Sequence, residues 1–171
     1  GKYEKAVEYL TNNHFHIREG DMRIRDINVN AHLLLGKEYF EEKKYEEAIN
    51  HFKLANTFPE NQQVGRSLKD ERVPQIWYFI GLANESLGIN DEAEKCFKKS
   101  VEQELDGSVY KYYQGLSYLK LKEKEKAGEL FKKLITEGQK KLNQGTKVDV
   151  YAKFGEAESE NAILSKAHFK I

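Results

Sequence analysis

Residues 74–107, PQIWYFIGLANESLGINDEAEKCFKKSVEQELDG, and residues 108–141, SVYKYYQGLSYLKLKEKEKAGELFKKLITEGQKK, abut in the chain and align without a gap. Gly81, Ala93 and Phe97 of the first recur as Gly115, Ala127 and Phe131 of the second, each shifted by 34 residues. The trio returns on either side, as Gly36, Ala48 and Phe52 and as Gly155, Ala167 and Ile171, always 12 residues from Gly to Ala and 4 from Ala to the large residue. A fixed internal period of this size marks a stacked repeat.

The residue types account for the spacing. In a unit of two antiparallel helices joined by a short turn, the Gly lies mid-way along the first helix and the Ala early in the second, where small residues let the backbones approach. The large residue falls one turn beyond the Ala on the same face and fills space between one helix pair and the next. Trp77, Ile80, Gly81 and Leu87 give the matching stripe on the first helix of the unit at 74–107. Gly inside a helix costs roughly 1 kcal/mol against Ala. Its return in register therefore reflects a packing requirement.

These residues carry a resemblance. Trp77, Gly81, Ala93 and Phe97, together with Leu35, Gly36, Tyr39, Ala48, Phe52, Ala55 and the closing Pro59, resemble the tetratricopeptide repeat, with its Trp, Leu-Gly, Tyr, Ala, Phe and Pro positions. His32 and Lys111 replace the aromatic of the first helix, Gln114 its Leu and Asn84 its Tyr. The resemblance implies an all-α, right-handed superhelical solenoid of antiparallel helix pairs.

Composition agrees. The chain has 171 residues, 33% of them charged, and two prolines, which suits an all-helical chain with solvated outer faces. Lysine plus arginine equals aspartate plus glutamate at 28 each, a poor basis for non-specific attraction to nucleic acid or anionic membrane. The lysine-rich run 120–126 has no interleaved aromatics to stack bases. One cysteine, Cys96, excludes an internal disulfide framework. Neither a membrane-spanning stretch nor an opening signal peptide is present, so the expectation is a soluble chain, with the cytoplasm favoured.

Taken in order, residues 1–13 read as the second helix of a truncated repeat, because Tyr3, Ala6 and Leu10 hold the places of Tyr45, Ala48 and Phe52. Residues 14–28 form an irregular connector. Phe15, Ile17, Met22 and Ile24 alternate with polar residues around Gly20-Asp21, which fits a short hairpin or a loop with a helix starting near Asp26. His14 and His16, with Glu19 and Asp21 close by, are candidate metal ligands; the alternative is a wedge that packs Phe15 and Ile17 on neighbouring helices. A repeat unit spans 29–62, with Asn28 or Asn30 as cap and Phe58-Pro59-Glu60-Asn61 as stop.

From Gly36 to Gly81 the step is 45 residues, 11 over the period, and the excess is an inserted polar loop at 63–73. Units follow at 74–107, with Gly88 at the turn and Asn90-Asp91 capping the second helix, and at 108–141. A loop at 142–147 leads to a truncated unit at 148–171 containing Tyr151, Phe154, Gly155 and Ala167. About three full units with partial units at both ends point to a piece of something longer. A wider resemblance links His14-Phe15-His16, Glu19-Gly20, residues 31–36 and residues 58–61 to the C-terminal repeat region of certain large bacterial multidomain proteins. There, tetratricopeptide units follow a mutarotase-like domain of unknown function, which implies a carbohydrate-related parent.

The resemblance also implies a concave face lined by first helices. Its inner ladder would run Leu33, Tyr78, Tyr112 and Ala152, then Lys37, Leu82, Leu116 and Glu156, then Phe40, Glu85, Leu119 and Ser159. An exposed strip of this apolar and aromatic kind marks a contact surface. Its expected occupant is a protein or peptide segment, or another domain of the parent. Some relatives hold a chaperone's C-terminal carboxylate with a basic clamp. The corresponding places here carry Leu33, Lys37, Phe79, Val109 and Tyr113, so no such clamp is expected. No nucleophile elbow, P-loop, dinucleotide turn or zinc-protease helix occurs, and His51 and His168 lie beside core positions as packing residues. The expected function is a non-catalytic interaction scaffold without cofactor. The alternative is a carbohydrate-binding accessory region using Tyr78, Tyr110, Tyr112 and Tyr113.

Overall fold

A computed structural model describes residues 1–16, 23–65 and 69–144. Seven α-helices are found among them: α1 (Lys2–Asn12), α2 (Arg23–Glu41), α3 (Tyr45–Ala55), α4 (Val73–Ser86), α5 (Asn90–Val101), α6 (Lys111–Lys120) and α7 (Lys124–Gln144). Consecutive helices pack on each other, and α4 and α6 also touch directly. The result is an all-α solenoid whose pairs are α2–α3, α4–α5 and α6–α7.

The Gly-Ala-Phe trio explains the close packing within each pair. The Phe52 ring lies over Gly36, where an added Cβ would stand 2.5 Å from it, and Phe97 covers Gly81 at the same 2.5 Å. Phe131 covers Gly115 in the same way. Each Phe therefore packs inside its own unit, against the bare backbone of the first helix. Ala48 and Ala127 are fully buried at the same crossings. Phe52 goes on to face Phe79 of the following unit at 5.5 Å, and Ile76 and Ile80 complete a core that runs from α2 through α5.

The turns inside the pairs are built alike. Lys43, Gly88 and Lys122 adopt left-handed backbone, with φ of 62°, 77° and 66°. In each turn this residue's N–H bonds the carbonyl three residues back, and the next N–H reaches the carbonyl five back: Phe40 and Tyr39, Glu85 and Asn84, Leu119 and Tyr118. This is the Schellman arrangement, which satisfies the last carbonyls of the first helix. Asn90 is already helical, with Ile89 at the N-cap and no side-chain cap bond. Asp91 and Glu92 instead favour the positive end of the α5 dipole, and Lys98 and Lys99 the negative end.

Two sequence expectations change where the chain departs from the period. The hairpin reading of 14–28 fails at Ile24, because α2 begins at Arg23, and Asn28 lies inside the helix as a buried residue instead of a cap. The extra turns pack on the inserted segment. Arg25, only 2% exposed, donates from Nη1 to the Ala55 carbonyl at 2.6 Å and from Nη2 to Asp70 Oδ2 at 2.8 Å. Its guanidinium lies 4.2 Å over Phe58. Gln62 Nε2 donates to Asn28 Oδ1 at 2.9 Å. Arg72 reaches Asn30 Oδ1 at 2.6 Å and lies 4.8 Å over the Tyr110 ring. The ends of the insertion are thus buried against α2, and Val64 joins Leu10, Ile24 and Ala31 in a second core cluster.

Asn61 ties α1 to this region, donating from Nδ2 to the carbonyls of Leu10 and Asn13 at 2.8 and 2.6 Å. At the other end α7 continues through Leu142 and Asn143 to Gln144, where a loop was expected. Residues 145–147 of that loop, the unit at 148–171 with Gly155, Ala167 and His168, and Ile17, Glu19, Asp21 and Met22 lie outside the described residues.

Departures from the repeat pattern are satisfied locally. Gln114, buried where a Leu was expected, donates from Nε2 to the Gln103 carbonyl at 2.7 Å and the Ser100 carbonyl at 3.3 Å, serving the end of α5. Asn84 Nδ2 bonds the Ile80 carbonyl at 2.8 Å. Among the described residues no helix is long and apolar enough to cross a membrane.

Candidate functional site

Side chains of α2, α4 and α6 meet along one face. Counted from the repeat glycines, Tyr78 and Tyr112 share one offset, the first rung; Lys37, Leu82 and Leu116 share a second, and Phe40, Glu85 and Leu119 a third. The first rung changes in unit one, because Leu33 is 3% exposed and belongs to the core. Its neighbour Leu34, 38% exposed, faces outward instead. Leu34, Phe79 and Tyr113 each stand two residues before the repeat glycine, and so form a further rung that the period itself could have supplied.

The aromatic members interlock. Tyr78 lies 5.6 Å from Phe79, 5.7 Å from Tyr113 and 6.0 Å from Phe97. Phe79 lies 5.6 Å from Tyr113, and Tyr112 lies 5.6 Å from Tyr113 and 5.9 Å from Phe131. Two of the pairs, Tyr78–Phe79 and Tyr112–Tyr113, meet edge to face, which suits the quadrupoles of the rings. Gln75 Nε2 donates to Tyr113 Oη at 2.8 Å. Burial pushes both the Tyr78 and Tyr113 phenols above their ordinary range, so at neutral pH they are uncharged hydroxyls. Lys37 holds its ammonium 4.5 Å over the Phe79 ring. Glu85 and Lys120 form an ion pair between α4 and α6, beside a cleft of about 520 Å³ lined by Ala93, Phe97, Lys122 and Glu123. Tyr112 at 38% and Leu119 at 45% exposed continue the strip along α6.

Among the described residues the histidines fall into two separate pairs. His14 and His16 are exposed with ring centroids 4.8 Å apart, and His14 Nε2 lies 3.1 Å from Gln63 Nε2. Among the described residues no three His, Cys, Asp or Glu side chains converge on a metal position. His51 pairs with His32, their Nδ1 atoms 3.1 Å apart, within the first unit. Burial raises the Cys96 thiol pKa, away from the reactive thiolate.

Helix pairs stacked through a shared core, with an exposed apolar strip along their first helices, define a helical-repeat solenoid. Family models of the tetratricopeptide repeat match residues 29–61, 74–106 and 110–137. Those spans make up more than half of the chain, and it belongs to the tetratricopeptide-repeat family, whose members generally act as scaffolds for protein–protein interaction. No solved structure matches the chain.

Proposed function

We propose that this chain is a non-catalytic scaffold whose first-helix face, from Leu34 and Lys37 through Tyr78, Phe79 and Leu82 to Tyr112, Leu116 and Leu119, holds a peptide segment or an adjoining domain. The observation that carries this reading is the exposure of Leu34, Tyr112 and Leu119 in one strip, beside half-buried Phe40, Tyr78, Phe79, Leu82 and Leu116. Covering such a strip returns roughly 25 cal/mol for each Å² of apolar surface removed from water. Tyrosines whose rotamers are already held by neighbouring rings lose little further freedom on binding. The sugar-binding alternative needs open ring faces, and most of these rings pack against one another.

The test is capture from a lysate of the source organism with a photo-cross-linking residue in place of Leu119, beside the same bait carrying Tyr78→Ala and Tyr112→Ala. Cross-linked peptides present in the first and absent from the second support the face as the contact surface. Identical products from both baits would sink the reading.

A further inference from the structure

We infer that the occupant of this face carries a carboxylate, from an Asp or Glu side chain set between apolar residues, and that Lys37 selects it. The inference rests on the groove reading above and adds the chemistry of the ligand. Lys37 is half-buried at the first-unit end of the strip, one turn from exposed Leu34 and one turn from half-buried Phe40 on α2. Its ammonium rests on the Phe79 ring, and among the described residues no carboxylate pairs with it. The other charges in the strip differ: Glu85 is neutralised by Lys120 across the helices. Glu41 is exposed beyond the last turn's apolar positions.

An apolar ligand laid over Leu34, Phe79 and Leu82 removes water from around the Lys37 ammonium. A cation desolvated with only an aromatic face beside it retains a large uncompensated penalty, whereas a carboxylate placed on it forms a charge-assisted hydrogen bond in a poorly solvated site. The Glu85–Lys120 pair needs no such compensation, so one negative charge satisfies the strip. The ligand is therefore an apolar or aromatic peptide with a single acidic residue, flanked by apolar ones, in the part that lies over the first unit, not a basic or uniformly apolar one.

A random peptide library displayed on phage, panned against the full chain and against Lys37→Glu and Tyr78→Ala/Tyr112→Ala variants with circular dichroism as a fold check, tests this. The native chain is expected to enrich peptides with Asp or Glu between apolar residues, and Lys37→Glu to lose that preference or exchange it for Lys or Arg. A synthetic peptide of the enriched sequence should bind Lys37→Met, which keeps the apolar stem, about tenfold more weakly, with the gap narrowing at high salt. Tyrosine-dependent enrichment without an acidic preference, or one unchanged in Lys37→Glu, overturns the charge inference and leaves the groove standing. Enrichment indifferent to the tyrosines, or none at all, overturns both.

Discussion

His32 shows how one substitution within a repeat position adds chemistry to a core. It fills the place of the expected aromatic, 6% exposed, and meets His51 with rings tilted by 30° and centroids 5.4 Å apart. The Nδ1 atoms lie 3.1 Å apart, so in the neutral pair one carries a proton and the other accepts it. Two imidazolium rings would oppose N–H to N–H. Burial, then the charges of His51 and Arg25, pull the His32 pKa down to about 4; burial also lowers His51, with Glu4 of α1 opposing. In the unfolded chain His32 titrates near 6.5. Between about 6.5 and about 4 the unfolded state therefore binds protons that the folded state refuses. The pair's contribution is fully present above 6.5 and falls as the pH is lowered. His32→Phe should remove on the order of 2 kcal/mol of the difference in unfolding free energy between pH 7 and pH 4. Parallel urea titrations at the two pH values measure it, and identical pH profiles for variant and native chain would refute the assignment.

At the scale of the element, the three intra-unit turns share one geometry but not one residue. Gly88 tolerates its left-handed backbone without strain, while Lys43 and Lys122 adopt it with a Cβ. Lys43→Gly and Lys122→Gly should each raise stability by roughly 0.5–1 kcal/mol, and Gly88→Ala should lower it by a similar amount. Urea unfolding of the three variants decides this, and a neutral Gly88→Ala would show the turns to be less constrained than their bonds imply. Helices α3 to α7 were legible in the sequence because Gly, Ala and Phe recur at fixed steps and each step maps onto one helix crossing. The early start of α2 was not. Its cause is contact with the insertion: Arg25 is held by Ala55 and Asp70, 30 and 45 residues away, and no local pattern marks a buried arginine, since arginine is ordinarily a surface residue. The same limit applies in the candidate groove. The family resemblance named Tyr78, Tyr112 and the two rungs beyond them as candidates, but it could not say that α2 turns Leu33 inward and Leu34 outward.

At the scale of the whole molecule, the question is whether the units melt together. In a solenoid, stability is approximately a sum of unit terms and nearest-neighbour interfaces, and weak interfaces let units unfold separately. Here the interfaces are dense. Phe79 of the second unit touches Phe52 of the first and Tyr113 of the third. Ser100 Oγ donates to the Pro74 carbonyl at 2.9 Å and receives a bond from Ser117 Oγ at 2.8 Å, joining α4, α5 and α6 through buried atoms. Arg72 binds α2 and lies over Tyr110 just before α6. The second unit is thus common to both interfaces, and its loss strands an apolar face on each neighbour. Trp77, the single tryptophan, reports on that unit alone, while far-UV circular dichroism reports on all helices. Ile80 is 1% exposed at its centre, and Ile80→Ala should cost about 3 kcal/mol through lost burial and a residual cavity. With strong coupling, Trp77 fluorescence and circular dichroism give coincident transitions in the native chain and shift together in the variant. If the fluorescence midpoint moves while most of the helical signal stays in place, the interfaces are too weak to couple the units, and the first-helix strip would be assembled only when each unit folds on its own.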